Sequence, residues 1–285
     1  MKVSYIVCTI RRPEQASACI NSILKQLGDI EVVVVDQSEV CGRYANDNRV
    51  KVAHSRKDGL SHARNLGFQD SSGGIVAYID DDALLAKNHS EILQAVFSDG
   101  RVDCVAGRIL VAGSDIPYAK TQTADSRYLP MGGWNAMLGG NIAFRRSTLE
   151  EIGPFDETFG AGREWASGEE TDYFLRMQYT GKKVYYCADL VIFHPAEPKN
   201  HSGESLSHKL FAYGKGHGAL FAKHYKQFRN KKMLLSFAWS LAKPSLRMLQ
   251  YFVTGKNSNF QVQRAIFRGR VQGFKDYMLQ HDTAR

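Results

Sequence analysis

Four short apolar runs lie within the first 80 residues, at 3–10, 30–35, 50–53 and 75–79. Each has the length of a strand. The second is almost wholly Val and Ile, as in a strand buried on both faces. Between the first two runs, Ala16, Cys19, Ile20, Ile23, Leu24 and Leu27 recur at helical spacing and predict a helix over about residues 15–26. Between the third and fourth, the polar stretch 57–67 feeds a second helix that closes at Ser71-Ser72-Gly73-Gly74. Strands alternating with helices or loops predict a mostly parallel sheet with right-handed crossovers. Sheets of this class bind ligands beyond the carboxyl ends of their strands.

The polar residues fall at those ends. Thr9 and Arg11 follow the first run, Asp36 the second, and Asp80-Asp81-Asp82 the fourth. Three consecutive carboxylates repel one another unless something neutralises them. A divalent cation held against a polyphosphate would do so, because hard cations take oxygen ligands. A solvated acidic turn, or a helix N-terminus that favours Asp, is the other account.

The 285 residues are 44% hydrophobic and 23% charged, which permits a sizeable core. The net charge of +8 is unevenly spread. Residues 1–208 carry 22 Lys/Arg and 27 Asp/Glu, whereas residues 209–285 carry 15 and 2. Such a basic segment suits nucleic acid or an anionic membrane surface. The five cysteines (Cys8, Cys19, Cys41, Cys104, Cys187) form no CxxC pair. This argues against a disulfide framework or a cysteine-rich zinc site and fits a reducing compartment. The run 3–10 is too short for a secretory signal and is followed by Arg11-Arg12. No spanning helix is expected, since no stretch approaches 18 apolar residues. Without a secretory signal, the glycosylation patterns Asn88-His89-Ser90 and Asn200-His201-Ser202 are read as chance.

Farther along, residues 90–97 read as a helix, 103–111 as a strand, 137–145 as sheet-like, and 148–152 as a short helix ended by Gly153-Pro154. Residues 113–135 and 159–167 are expected to be long loops. Gly168-Glu169-Glu170-Thr171-Asp172 leads into a helix over 173–179, closed by Gly181. Acids there also suit the helix macrodipole. Strands at 184–187 and 190–193 end at His194-Pro195. Beyond about residue 208, segments 209–229 and 231–253 mix aromatic, aliphatic and basic residues at helical intervals. Pro244 is expected to break or kink the second.

Seven of these pieces, in this order over residues 3–195, resemble the family 2 inverting glycosyltransferases of the GT-A fold, especially bacterial enzymes that build surface polysaccharides. They are Cys8-Thr9-Ile10-Arg11, Val32-Val33-Val34-Val35-Asp36, the segment from Gly59 to Gly67, Ile79-Asp80-Asp81-Asp82, Gly139-Gly140-Asn141, Gly168-Glu169-Glu170-Thr171-Asp172 and His194-Pro195. The resemblance implies an α/β fold, a Rossmann-like mixed and mostly parallel sheet flanked by helices, with a C-terminal helical extension. It divides the chain into a catalytic domain over 1–208 and a basic amphipathic helical region over 209–285. The nucleotide-sugar-binding half would be 1–110 and the acceptor-side half 111–208.

It further implies a metal-dependent inverting transfer of a sugar from a nucleotide-sugar donor, with UDP the expected carrier, to a glycan or lipid-linked glycan. Asp80 and Asp82 would hold Mn2+ or Mg2+, with Asp82 bonding the metal directly and His194 completing the shell. Thr9, Arg11, Asp36, Arg64, Asp80, Asp81, Gly140 and Asn141 would line the donor site. Asp36 would contact the base, although Gln37-Ser38 departs from the family's Asp-Gly or Asp-Asp. Arg64 would contact the diphosphate or brace the Asp cluster. Glu170 takes the place of the family's usual aspartate base, one methylene longer, with Asp172 in reserve. Trp134, Trp165 and Glu169 would lie on the acceptor side, core packing being the alternative for both tryptophans.

Basic helices with interfacial aromatics suit a membrane surface, so the enzyme is expected in the cytoplasm, peripheral at the inner face of the membrane. Packing on the body or on a second subunit, as in a homodimer, is the alternative. Nucleic acid is not expected, since no recognised binding module is present. A sugar nucleotidyltransferase is a rival reading, but Thr9-Ile10-Arg11-Arg12-Pro13 lacks the glycines of a phosphate loop. A non-catalytic nucleotide-sugar-binding or scaffolding subunit is another, but no acid is missing at 80, 82, 170 or 172.

Overall fold

The computed structural model describes residues 1–196 and 203–280, so Asn200-His201-Ser202 lies outside the described residues. In chain order the strands are β1 (Val3–Thr9), β2 (Ile30–Asp36), β3 (Val50–His54), β4 (Ile75–Asp80), β5 (Leu84–Leu85), β6 (Cys104–Val111), β7 (Arg127–Tyr128), β8 (Asn141–Arg145) and β9 (Val184–His194). The helices are α1 (Pro13–Leu24), α2 (Leu60–Asp70), α3 (His89–Ser98), α4 (Arg146–Ile152), α5 (Glu169–Tyr179), α6 (Gly203–Lys226), α7 (Lys232–Val253) and α8 (Asn257–Gln280). They form two compact units. One comprises Met1–Asp156 and the chain from Glu170 through β9, and the other comprises Glu157–Glu169 with α6, α7 and α8. The helical segment thus starts a few residues before 209 and takes in the loop around Trp165.

The first unit is built on one mixed sheet in the order β3-β2-β1-β4-β8-β6-β9-β5, with β7 also paired to β9. β1 to β4 are parallel, as the alternation of strands and helices requires, and β8 runs antiparallel to both β4 and β6. Register places Thr9 beside Asp36 and Cys8 beside Asp80, so the polar strand ends are level. Side-chain alternation explains why the run 30–35 of β2 is apolar on both faces. Ile30, Val32 and Val34 join one core layer with α1 and α3, while Val33 and Val35 join the opposite layer with Ala63 of α2 and Phe174 and Met177 of α5.

Glu31 is the exception in that run. It is buried, and it accepts hydrogen bonds from Ser4 Oγ (2.6 Å), the Ser72 amide (2.6 Å) and both Lys2 and Lys51 (3.0 Å each). Burial works against its charge, but these donors outweigh that cost and hold the carboxyl well below the usual range.

Two sequence expectations change. The strands expected at 184–187 and 190–193 are one strand, β9, whose pairing with β6 jumps from Gly107–Cys187 to Arg108–Val191. The stretch 113–135 is less irregular than expected, because it carries β7 and a 3-10 turn at Gly133–Ala136. Its buried Gln122 bonds Ile109 N and Ala136 O.

In the helical unit, α6 and α8 meet backbone to backbone. A Cβ at Gly218 would overlap the Arg270 carbonyl, one at Gly269 the Phe211 carbonyl, and one at Gly273 the Lys215 carbonyl. Glycines four apart on both helices create that contact. Pro244 does not break α7, which runs unbroken from Lys232 to Val253. Proline removes the amide that would bond Ser240 O, and Arg270 Nη1 from α8 donates to that carbonyl instead.

The Glu31 cluster predicts a stability effect. Because its folded pKa is depressed, its contribution is complete above the unfolded carboxylate pKa of about 4.3 and is lost as pH falls below it. Glu31→Gln should cost about 2 kcal/mol at neutral pH and flatten the acid limb of stability measured by urea unfolding. An unchanged acid limb would remove Glu31 from this role.

Candidate active site

The site is assembled at the carboxyl ends of β1, β2 and β4, with β9 supplying one residue. The three aspartates after β4 are sorted by direction. Asp81 is buried. It accepts from Thr9 Oγ1 at 2.7 Å and lies 2.7 Å from Arg12 Nη2. Burial pushes its carboxyl up to about 6, against the pull of Thr9 and Arg12. Thr9 and Asp81 were expected to face the donor. They are instead spent on each other, because a buried carboxylate needs donors. Arg12 also reaches Asp82 Oδ2 at 2.9 Å and so ties two of the three carboxylates.

Asp80 and Asp82 turn the other way, toward His194. Asp82 Oδ1 lies 2.9 Å and Asp80 Oδ2 3.8 Å from His194 Nε2. One ligand atom from each of the three residues lies within 4.8 Å of the others. The other ring nitrogen, His194 Nδ1, is 2.8 Å from the Pro195 carbonyl. A carbonyl only accepts, so the proton of a neutral ring sits on Nδ1 and the Nε2 lone pair faces the aspartates. The Tyr118 ring packs edge-on against His194 at 4.8 Å. Burial opposes charge on the ring, but Asp82, the Pro195 carbonyl and Asp80 prevail and push His194 up to about 9. His194 in turn holds Asp82 below the ordinary carboxylate range against its burial, whereas burial pushes Asp80 upward.

These residues fit a hard divalent cation. Asp82 Oδ1 is buried without a hydrogen-bond partner even though His194 Nε2 is close, so the two atoms are near each other but not aligned as donor and acceptor. Their separation is near the edge of an octahedron with bonds of about 2.1 Å, which is about 3 Å.

Beside this cluster, Gly139 and Gly140 let the backbone pass between charged side chains. A Cβ at Gly140 would overlap Asp80 Oδ2, and one at Gly139 would overlap Glu170 Oε1. Arg64 is buried against the Tyr78 and Phe155 rings and donates to Gly139 O (3.3 Å) and Glu170 Oε1 (3.2 Å). Glu170 therefore lies against Gly139 and Asp80 against the next residue, Gly140, with Glu170 fixed by Arg64 and still part-exposed. Arg64 was expected to contact the diphosphate or brace the Asp cluster; the acid it bonds is Glu170.

Other expected site residues are placed differently. Asn141 is buried, and its Nδ2 donates to Arg108 O (3.2 Å) and Leu190 O (2.9 Å), the two carbonyls beside the β6–β9 register jump. Its Oδ1 accepts from His89 Nε2 (3.1 Å), whose Nδ1 meets Tyr5 OH. Asn141 thus plugs a bulge and has no group left for a donor. Asp172 is fully buried and bonded to Arg176 Nε at 3.0 Å. Arg176 also holds Ile152 O and Pro154 O, so Asp172 braces α5 and is shut off from any acceptor.

Asp36 is buried and accepts from the amides of Ser38 (2.8 Å) and Gly42 (2.7 Å) and from Tyr44 OH (2.6 Å). Burial opposes its charge, but these donors hold the carboxyl down at about 2. It shapes the loop 38–44 instead of facing the solvent. Arg11 is exposed at φ 57°, its amide bonded to Ser38 Oγ at 2.7 Å. With Pro13, Ser38, Glu39, Val40 and Gly42 it lines a cleft of about 270 Å3.

Trp134 is half-buried and packs on the core layer of Phe144 and Phe155. In the helical unit, Trp165 is buried with Phe159, Leu220 and Tyr277, which leaves no face for a sugar; Glu169 is buried too. The residue missed by sequence reading is Arg12. The available signal was a cation beyond β1, next to the strand that ends in three acids.

The chain is similar to known glycosyltransferases. It is 27% identical over 234 residues to glycosyltransferase AglE of Haloferax volcanii, covering 75% of this chain and 72% of that protein. It is 26% identical over 261 residues to the glucosyl-dolichyl phosphate glucuronosyltransferase of the same organism, covering 82% and 77%. Among solved structures, the mannosyltransferase PcManGT from Pyrobaculum calidifontis, in complex with GDP-Man and Mn2+, superposes with a TM-score of 0.64 at 18% identity, covering 96% of this chain and 87% of that one. S. aureus TarS 1-349 in complex with UDP gives 0.53 at 16% identity, covering 100% and 92%. Those two likenesses carry the fold. Residues 4–164, more than half of the chain, match the model of glycosyl transferase family 2, and the chain belongs to that family.

Proposed function

We propose that this glycosyltransferase moves a hexosyl group from a nucleotide-sugar donor, UDP-linked, to a glycan or lipid-linked glycan, with inversion, in polysaccharide biosynthesis. The observation that carries the reading is the convergence of Asp80, Asp82 and His194 beside an Arg64-held Glu170, separated only by two glycines. Asp80, Asp82 and His194 would hold Mn2+ or Mg2+. When bound, that cation supplies positive charge that offsets a diphosphate as it leaves. The chain's own residues do the rest. Arg12 and Thr9 fix Asp81, and Arg12 steadies Asp82 from the side away from His194. The cleft lined by Arg11, Ser38 and Gly42, shaped by Asp36, is assigned to the nucleoside. Glu170 takes the proton from the acceptor hydroxyl, and Arg64 keeps its carboxylate in place for an in-line attack. The acceptor is met at the inner face of the cytoplasmic membrane, through the basic C-terminal helices.

Calorimetry with UDP- and GDP-linked sugars tests the donor. Binding should require Mn2+ or Mg2+ and weaken at least about tenfold in Asp82→Asn, as loss of one ligand to a hard ion implies. Absence of binding to any donor with either ion would sink the reading, and a preference for GDP-linked sugars would overturn the UDP assignment. Glu170→Gln should bind donor as the wild type does, while nucleoside diphosphate release in the presence of acceptor falls by about 10²–10⁴. Transfer retained in that variant would remove Glu170 as the base.

A further inference from the structure

Helix α7 is apolar on two opposite faces. Met233, Phe237 and Pro244 face its neighbours in the helical unit, and Phe237 stacks on Phe274 of α8 at 4.3 Å. On the other side, Leu235, Trp239, Leu246, Leu249 and Val253 lie within an arc of about 80° and span about 27 Å at helical rise. All five are between 64% and 81% exposed. A contiguous apolar stripe of this length is not left in water without a partner, so this second face is matched to a surface other than water. Lys232, Lys243 and Arg247 run along one flank, exposed and without an ion pair among the described residues.

We infer that the outer face of α7 lies in the surface of an anionic bilayer. The inference rests on the membrane part of the function proposed above and narrows it from three helices to one. Charge decides the occupant. No Asp or Glu occurs between residues 205 and 275, so a second copy of this face would set cations against cations. An anionic bilayer offers both partners the face requires, acyl chains for the stripe and negative headgroups for the flank. Trp239, the most exposed of the five, has the amphipathic ring that settles at the headgroup boundary. The length and flanking charges place the helix along the surface. No described helix is long and apolar enough to cross a membrane.

The test uses the full chain with vesicles of phosphatidylcholine alone or with one-third phosphatidylglycerol. Co-sedimentation should rise at least about tenfold with the anionic lipid and fall with salt. The triple variant Leu235→Ser, Trp239→Ser, Leu246→Ser, with an unchanged circular dichroism spectrum, should lose at least about tenfold of that binding. The blue shift of tryptophan emission on anionic vesicles should vanish in Trp239→Phe, which keeps the apolar face. Equal binding to both vesicle types, wild-type binding by the triple variant, or a dimer that the triple variant dissociates without vesicle binding would each overturn the inference. Donor calorimetry on the same samples separates the two readings. Donor binding without vesicle binding overturns this inference alone, and vesicle binding without donor binding overturns only the transferase reading.

Discussion

Three adjacent carboxylates at the end of one buried strand cannot share a direction. Like charges a few ångströms apart in a partly dry environment raise one another's cost of ionisation. The chain separates them. Asp81 turns inward to Thr9 and Arg12, while Asp80 and Asp82 turn outward to His194. Arg12 spans both groups and keeps the divided arrangement from collapsing. Because β1, β2 and β4 are parallel and in register, Thr9, Asp36 and Asp80 arrive at the same level, and these three strands form one wall.

The second wall depends on buried polar braces. β8 runs antiparallel between β4 and β6, so the Gly139–Gly140 turn enters it level with Asp80. Asn141 then locks β8 against the register jump between β6 and β9, and that jump is what brings His194 to the end of β9 opposite Val111. Arg64, buried between aromatic rings, fixes Glu170 from the side of α2. Glu170 and the Gly139–Gly140 turn are thus held by buried groups, Arg64 and Asn141, which is how a site keeps its geometry before substrate arrives.

The parallel half of the sheet was legible because strand burial leaves a direct mark: β2 is apolar at every position but Glu31 and the terminal Asp36, and α1 shows a clean helical period. The strand ends placed Asp80 and Asp82 at the sheet edge, the resemblance implied His194 beside them, and the structure brings the three within 4.8 Å of one another. Asn141, Asp172 and Thr9 were expected at the site and are placed as buried braces, and Trp165 takes the core-packing alternative, for a shared reason. Each is a residue type that serves equally well as a ligand or as a buried brace, and only the surrounding atoms distinguish the two. The bulge that consumes Asn141 has no local signature, since the extra residues 188–190 resemble an ordinary turn. Arg12 was passed over because its partners lie 70 residues away across the strand ends.

By itself the sequence determined the strand and helix rhythm, the level of the polar strand ends and the concentration of positive charge after residue 208. Those properties follow from periodicity, composition and chain order, which are local. The tertiary structure decided which carboxylate of the triplet faces inward, that Glu170 is paired while Asp172 is sealed, and that α7, rather than α6 or α8, keeps an apolar face in solvent. Each of those outcomes is a competition for a partner or for buried space, and the competitors are distant in the chain.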